Sequence, residues 1–190
     1  MVVESCAGNA APDPNIGRTS EGTTLTDIFR VTSRLIDRAC TDLSRRHTHA
    51  LERVGFIYGR PAALGGGILM LAESYSSVSD EDYIPTDVAG AQINSHAIRV
   101  AMERCLSTGE CAFHVHMHTR FPMPSRTDWR EWRKFVPDFF NVQGTGPHGA
   151  IILSRTAANG WFWPSKRAEP QPFQRFEIVG MPLKLFEALT

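Results

Sequence analysis

The sequence predicts the α/β class in the broad sense that includes α+β: a mixed β-sheet flanked by helices. Three observations lead there. Strand-like stretches are interleaved with stretches of helical periodicity. A length of 190 residues, 42% hydrophobic and 21% charged, suits one domain with a core of its own. The longest apolar runs, "ILMLA" and "AIIL", are far too short to span a bilayer.

Residues 1–22 are rich in Gly, Ala, Pro, Ser, Thr and Asn and are expected to form a flexible tail. Residues 23–190 then form the single domain. "IFRVT" alternates like a short strand, and Ser33 is placed to cap the helix that follows. In that helix Leu35, Ile36, Ala39, Cys40 and Leu43 recur at helical spacing and define a buried stripe. "ERVGFIYGR" reads as a strand ended by Gly59 and Pro61, with "GGILMLAESYSSV" as its hairpin partner. The acidic stretch "SDEDYIPTDVAGAQ" is irregular. A second helix over 95–106 buries Ala97, Ile98, Ala101, Met102, Cys105 and Leu106. "ECAFHVHMH" is a strand, and "SRTDWREWRKF" a short helix with Asp128 in its first turn. After a Gly-rich turn, "HGAIILS", "GWFWP" and "RFEIVG" supply three more strands.

Composition excludes several function classes. Twenty basic and twenty acidic residues give no net charge, so neither nucleic acid nor membrane is a favoured partner. Cys6, Cys40, Cys105 and Cys111 are scattered, form no CxxC pair and read as reduced thiols of a cytoplasmic protein. The opening "MVVESCAGNAAPDPN" has an early glutamate and no apolar core, unlike a secretory signal.

The chemistry concentrates in "HVHMHTRFPMPSRTDW", residues 114–129, which holds three of the seven histidines. In a strand His114, His116 and His118 point to one face. Neighbouring imidazoles can converge on one ion, but the outer pair of a straight row is too far apart. Two adjacent histidines plus Asp128, returned by the Pro-rich turn, make a three-ligand site with a position left for water. That pattern belongs to catalytic rather than structural zinc. The cluster itself contains no free carboxylate to move the water's proton.

Other candidates are weaker. "HTHALE" (His47, His49, Glu52) is read as a helix end, where residues two apart diverge by about 200°, so its histidines are expected at the surface. "GTGPHGA" lacks the Lys-Ser/Thr of a phosphate loop and reads as a turn. Trp129, Trp132, Trp161 and Trp163 are assigned to core or rim packing.

With "ERVGFIYG" upstream and "HVHMH…PSRTD" downstream, the chain resembles the JAB/MPN family of JAMM zinc metalloproteases. Glu52, Gly55 and Gly59 match that family's first motif, and Ser125 and Asp128 its last. The resemblance covers roughly residues 27–165 and implies a cytidine-deaminase-like JAB/MPN fold. It implies zinc as the cofactor, Glu52 as the base that deprotonates a zinc-activated water, and Ser125 as donor to the oxyanion. By the same resemblance, the chain is a deubiquitinase-like peptidase or isopeptidase. It would cut after the C-terminal tail of a ubiquitin-like protein, in a precursor or a conjugate.

Compactness is similar to that of bacterial stand-alone JAB proteins, which implies E1-like and E2-like partners from the same operon. The histidine spacing departs from the family. The gap to Ser125 is one residue longer than usual counted from His116, and one shorter counted from His118. The preferred ligand set is His114, His116 and Asp128, with His118 on the rim; the alternative register puts His118 in place of His114. Two other readings stand beside the enzyme. One is a non-catalytic JAB scaffold binding a partner subunit. The other is a metal-dependent hydrolase of a small molecule or sulfur-carrier adduct.

Overall fold

The computed structural model describes residues 26–86 and 90–188, so the expected tail over 1–22 lies outside the described residues. At the centre is a long hairpin: β2 (Val54–Leu64) and β3 (Gly67–Ser77). Gly65 and Gly66 join them with φ of 54° and 101°. Two positive-φ residues make the tight turn whose twist matches paired strands, and glycine adopts it without a Cβ clash.

The other elements attach in chain order: β1 (Ile28–Thr32), α1 (Ser33–Leu43), α2 (Ser95–Thr108), β4 (Cys111–Met117) and α3 (Arg126–Phe135). They are followed by β5 (His148–Leu153), β6 (Ala158–Trp163), β7 (Gln171–Pro172), β8 (Arg175–Val179) and β9 (Lys184–Glu187). The strands form one sheet in the order β7-β6-β5-β4-β2-β3-β1-β8-β9. β1 runs parallel to β3 and β8, and β4 parallel to β5; the remaining pairs are antiparallel. The mixed sheet flanked by helices is therefore as expected, with short strands β7 and β9 added at the edges. Among the described residues no helix is long and apolar enough to cross a membrane.

Two boundaries differ from expectation. Thr32 rather than Ser33 caps α1, its hydroxyl accepting the Leu35 amide at 3.3 Å. β2 also continues through Pro61 to Leu64. Its pairing with β4 stops at Gly59, so Pro61 sits where β2 has a free edge and a missing N–H is tolerated. α2 is capped by Asn94 on the Ala97 amide at 3.1 Å and ends at Gly109 with φ 71°. Its stripe is narrower than expected: Ala97, Ala101 and Cys105 are buried, while Leu106 is 65% exposed.

The sheet has a core on each face. On one, α1 brings Ile36, Ala39 and Leu43 onto Phe29, Phe113, Val115, Phe162, Phe173 and Phe176. Phe29 meets Phe113 edge-on at 5.2 Å and stacks on Phe176 at 5.0 Å. Burying each ring contributes about 1.5–3 kcal/mol. On the other face α2 covers Phe56, Tyr58 and Ala112. There too, Trp132 of α3 joins Ala150, Ile152, Trp161 and Trp163.

The glycines of the Glu-x-x-Gly-x-x-x-Gly stretch have a packing cause. A Cβ at Gly59 would lie 2.0 Å from the Leu71 carbonyl oxygen. One at Gly55 would lie 2.5 Å from the Tyr75 ring. The register shift at Tyr58/Gly59 marks the same close approach.

Candidate metal centre

β4 sets the alternation from which the site is built. Phe113 and Val115 point into the α1 face, while His114 and His116 point to the opposite face. The strand ends at Met117, but the His118 amide still donates to the Leu153 carbonyl at 2.9 Å. Beyond it the chain turns, so His118 is not held to the straight row of a strand. Its Nε2 lies 3.0 Å from Nε2 of His116.

Asp128 completes the group. Its Oδ1 is 3.5 Å from His116 Nε2 and its Oδ2 is 3.8 Å from His118 Nε2. Zinc–ligand bonds of 2.0–2.1 Å require tetrahedral edges of about 3.3 Å; the two Nε2 atoms stand near that spacing, with a different Asp128 oxygen slightly beyond it from each. The carboxylate is held in place by the start of α3. Ser125 Oγ accepts the Asp128 amide at 3.2 Å, and Asp128 Oδ2 accepts the Ser125 amide at 2.6 Å. This reciprocal cap anchors the aspartate while satisfying two otherwise orphaned N–H groups.

The tautomer of His118 is set by its other nitrogen, which donates to the Phe121 carbonyl at 3.2 Å. The proton therefore sits on Nδ1 and the Nε2 lone pair faces His116 and Asp128, as in metal-binding histidines. His116 is 2% exposed, and its buried Nδ1 has no partner among the described residues. Burial lowers its pKa, opposed by the Asp128 carboxylate. An ion in this cluster would meet Nε2, which faces His118 and Asp128, and not the unpartnered Nδ1. Two imidazoles beside a carboxylate form a donor set that fits a divalent cation.

Glu52 reaches the group from the other side. It precedes β2 rather than lying in it, and its amide donates to the Gly90 carbonyl at 2.9 Å. Its carboxylate packs so closely on Gly90 that a Cβ there would lie 2.5 Å from Oε2. Glu52, His116 and His118 each offer a donor atom, all within 4.8 Å of one another. Burial raises the Glu52 pKa; His118 lowers it and Asp128 raises it further. All these residues and Ser125 line one open cleft of about 770 Å³.

His114 does not converge with them as the preferred register required. Its Nδ1 accepts the Trp132 indole N–H at 3.3 Å, and Phe56 and Phe135 hold the ring edge-on. Its centroid is 5.7 Å from that of His116, whereas His116 and His118 are 4.8 Å apart. Burial pulls its pKa down to about 3. The geometry thus gathers the alternative set, His116 with His118 and Asp128. The row converges because the strand stops before its last histidine.

Other expectations sort as follows. His47 and His49 lie in a loop, not at a helix end, and their rings approach to 4.4 Å instead of diverging. "GTGPHGA" is a turn leading into β5, with Gln143 Oε1 accepting the Thr145 amide at 2.7 Å. In the acidic stretch, Asp80–Asp82 forms a short 3-10 turn in which Asp82 takes the His96 ring at 2.9 Å and the Asn94 amide group at 3.0 Å. Thr86 and 90–95 wall the cleft. Gly90 and Trp132 were not singled out as site residues. Nothing marks Gly90 in sequence, whereas Trp132 lies one helical turn after Asp128, on the same side of α3.

No family model matches the chain, and no curated protein matches it. Among solved structures the chain is similar to the STIL N-terminal domain of Trichoplax adhaerens, at 9% identity and a TM-score of 0.36. That match covers 70% of this chain and 40% of the other, and a likeness so slight carries no functional argument.

Proposed function

We propose that the chain is a JAMM-type zinc peptidase or isopeptidase of JAB/MPN fold, acting in the cytoplasm on the C-terminal tail of a ubiquitin-like protein. One observation carries this reading: Glu52, far away in sequence, meets His116, His118 and Asp128 in one cleft. The element order supports it, with Glu52 before β2, a histidine pair at the end of β4 and an aspartate in the first turn of α3.

His116, His118 and Asp128 would hold the zinc ion. When bound, it would supply Lewis acidity and draw the pKa of a coordinated water towards neutrality. The remaining work falls to the chain's own groups. Glu52, kept half-buried with a raised pKa, accepts the water's proton and returns it to the departing amine. The Ser125 hydroxyl accepts the Asp128 amide yet keeps its own proton, which it donates to the acyl oxygen. Phe121 fixes the His118 tautomer through its carbonyl. The cleft is open rather than sealed, which suits a protein tail better than a small molecule.

The test is cleavage of a ubiquitin-like fusion by purified protein, with and without a chelator. The expected result is chelator-sensitive cleavage that falls about 10²–10⁴-fold in Glu52→Gln. Full activity of that variant would remove Glu52 as the base. A zinc-free, inactive wild-type chain would favour a scaffold that binds a partner subunit.

A further inference from the structure

We propose that His114 presents its Nε2–H to the cleft, as a hydrogen-bond donor for a carbonyl oxygen of the bound acyl substrate, and is not a metal ligand. The substrate part of this assignment rests on the peptidase reading above; the donor itself does not.

The assignment begins with Trp132. An indole N–H donates and never accepts, so a hydrogen bond from Trp132 Nε1 to His114 Nδ1 at 3.3 Å requires a lone pair on that nitrogen. The imidazole proton is then on Nε2. Trp132 is 1% exposed and wedged against His116, Trp129 and Trp161 at 5.4–6.0 Å. Its donor cannot turn elsewhere without leaving a buried N–H unpaired. Phe56 and Phe135 meet the His114 ring edge-on and fix its plane.

The other end of the ring faces substrate space. His114 lines the same cleft as Glu52, His116, His118 and Ser125. Among the described residues its Nε2 has no hydrogen-bond partner, yet it is not a sealed, unsatisfied atom like Nδ1 of His116. An N–H donor held in a fixed direction is the group a carbonyl oxygen needs as negative charge develops on it. Ser125 supplies a second such donor across the cleft, although its Oγ is also the cap of α3. The chain thus carries a donor built into the sheet in addition to the one on the helix.

Ring ¹⁵N spectra of the full chain, recorded without and with zinc, test the assignment. The expected spectrum has the His114 proton on Nε2, alters in Trp132→Phe, and stays unchanged as zinc shifts the His116 and His118 rings. A His114 proton on Nδ1, or coordination shifts at His114, would overturn the proposal. In the fusion assay, His114→Phe should retain zinc and lose about 10²-fold in kcat/KM, with partial recovery in His114→Gln, which keeps a side-chain N–H donor. Wild-type kinetics in a zinc-loaded His114→Phe protein would also overturn it. Should wild type fail to cleave any fusion, the peptidase reading falls, and the ring spectra still decide whether His114 is a donor or a ligand.

Discussion

β4 carries two different proteins on its two faces. Towards α1 it presents Phe113 and Val115, both fully buried among aromatic rings that need only exclude water. Towards α3 it presents His114 and His116, 8% and 2% exposed, each needing a particular partner for a particular nitrogen. The first face is satisfied by shape. The second is satisfied by hydrogen-bond direction, and at His116 the chain leaves one nitrogen with no partner. A period-two alternation therefore separates apolar core residues from hydrogen-bonding histidines at a spacing of one residue. The contrast says what substitution on each side should do: loss of stability on one, loss of chemistry with the fold retained on the other.

The sharpest way to break this comparison is on the apolar face. Phe113→Ala removes a ring packed against Phe29 and Phe173 at 5.2 and 5.8 Å. Denaturant unfolding should show a loss of about 3–5 kcal/mol, and a loss below 1 kcal/mol would deny that this face is the main core.

A smaller effect is expected from His148, which is buried on the polar side but outside the metal centre. Its Nδ1 accepts the Ala112 amide at 3.0 Å and its Nε2 donates to the Gln143 carbonyl at 2.9 Å. Burial lowers its pKa to about 4, against the hydrogen bond donated to the Gln143 carbonyl. Below about pH 6.5 the unfolded chain takes up the proton first. The stability is full above that pH and drains away as pH falls towards 4. The His148 share of the loss should reach about 3 kcal/mol and be missing in a His148 substitution that still folds, the shares of buried His114 and His116 remaining, measured by denaturation at each pH.

Smaller again is Gly90→Ala, whose new methyl would meet the Glu52 carboxylate first, 2.5 Å from Oε2, and displace it. Zinc binding should be kept while cleavage falls about 10- to 100-fold. Unchanged cleavage would mean that Glu52 does not need its present position.

Much of the fold was legible because its elements follow local rules. The hairpin followed from two strand-like runs in succession, α1 from its stripe, and α3 from a short helical stretch with Asp128 in its first turn. The α/β class and the order of helices and strands followed from these. What local rules miss is where an element meets a neighbour. Pro61 marks a break in β2 by local rule, yet the strand continues because its β4 partner has already ended. Leu106 fits the apolar stripe of α2 but stands clear of the sheet.

The site shows the same limit. Glu52, the histidine run, Ser125 and Asp128 were visible as residue types at telling spacings. The register was not, because it depends on the strand stopping at Met117 and on an indole that occupies His114. Gly90 was invisible because its importance lies in a missing atom beside a residue 38 positions earlier in the chain.

The central claim is that the ion's ligands come from His116, His118 and Asp128 rather than from the first two histidines of the row. Zinc content after purification of His118→Ala and His114→Ala, each confirmed as folded, tests it directly. The account predicts that His118→Ala loses its zinc and His114→Ala keeps it. Zinc lost from His114→Ala and retained by His118→Ala would contradict the account.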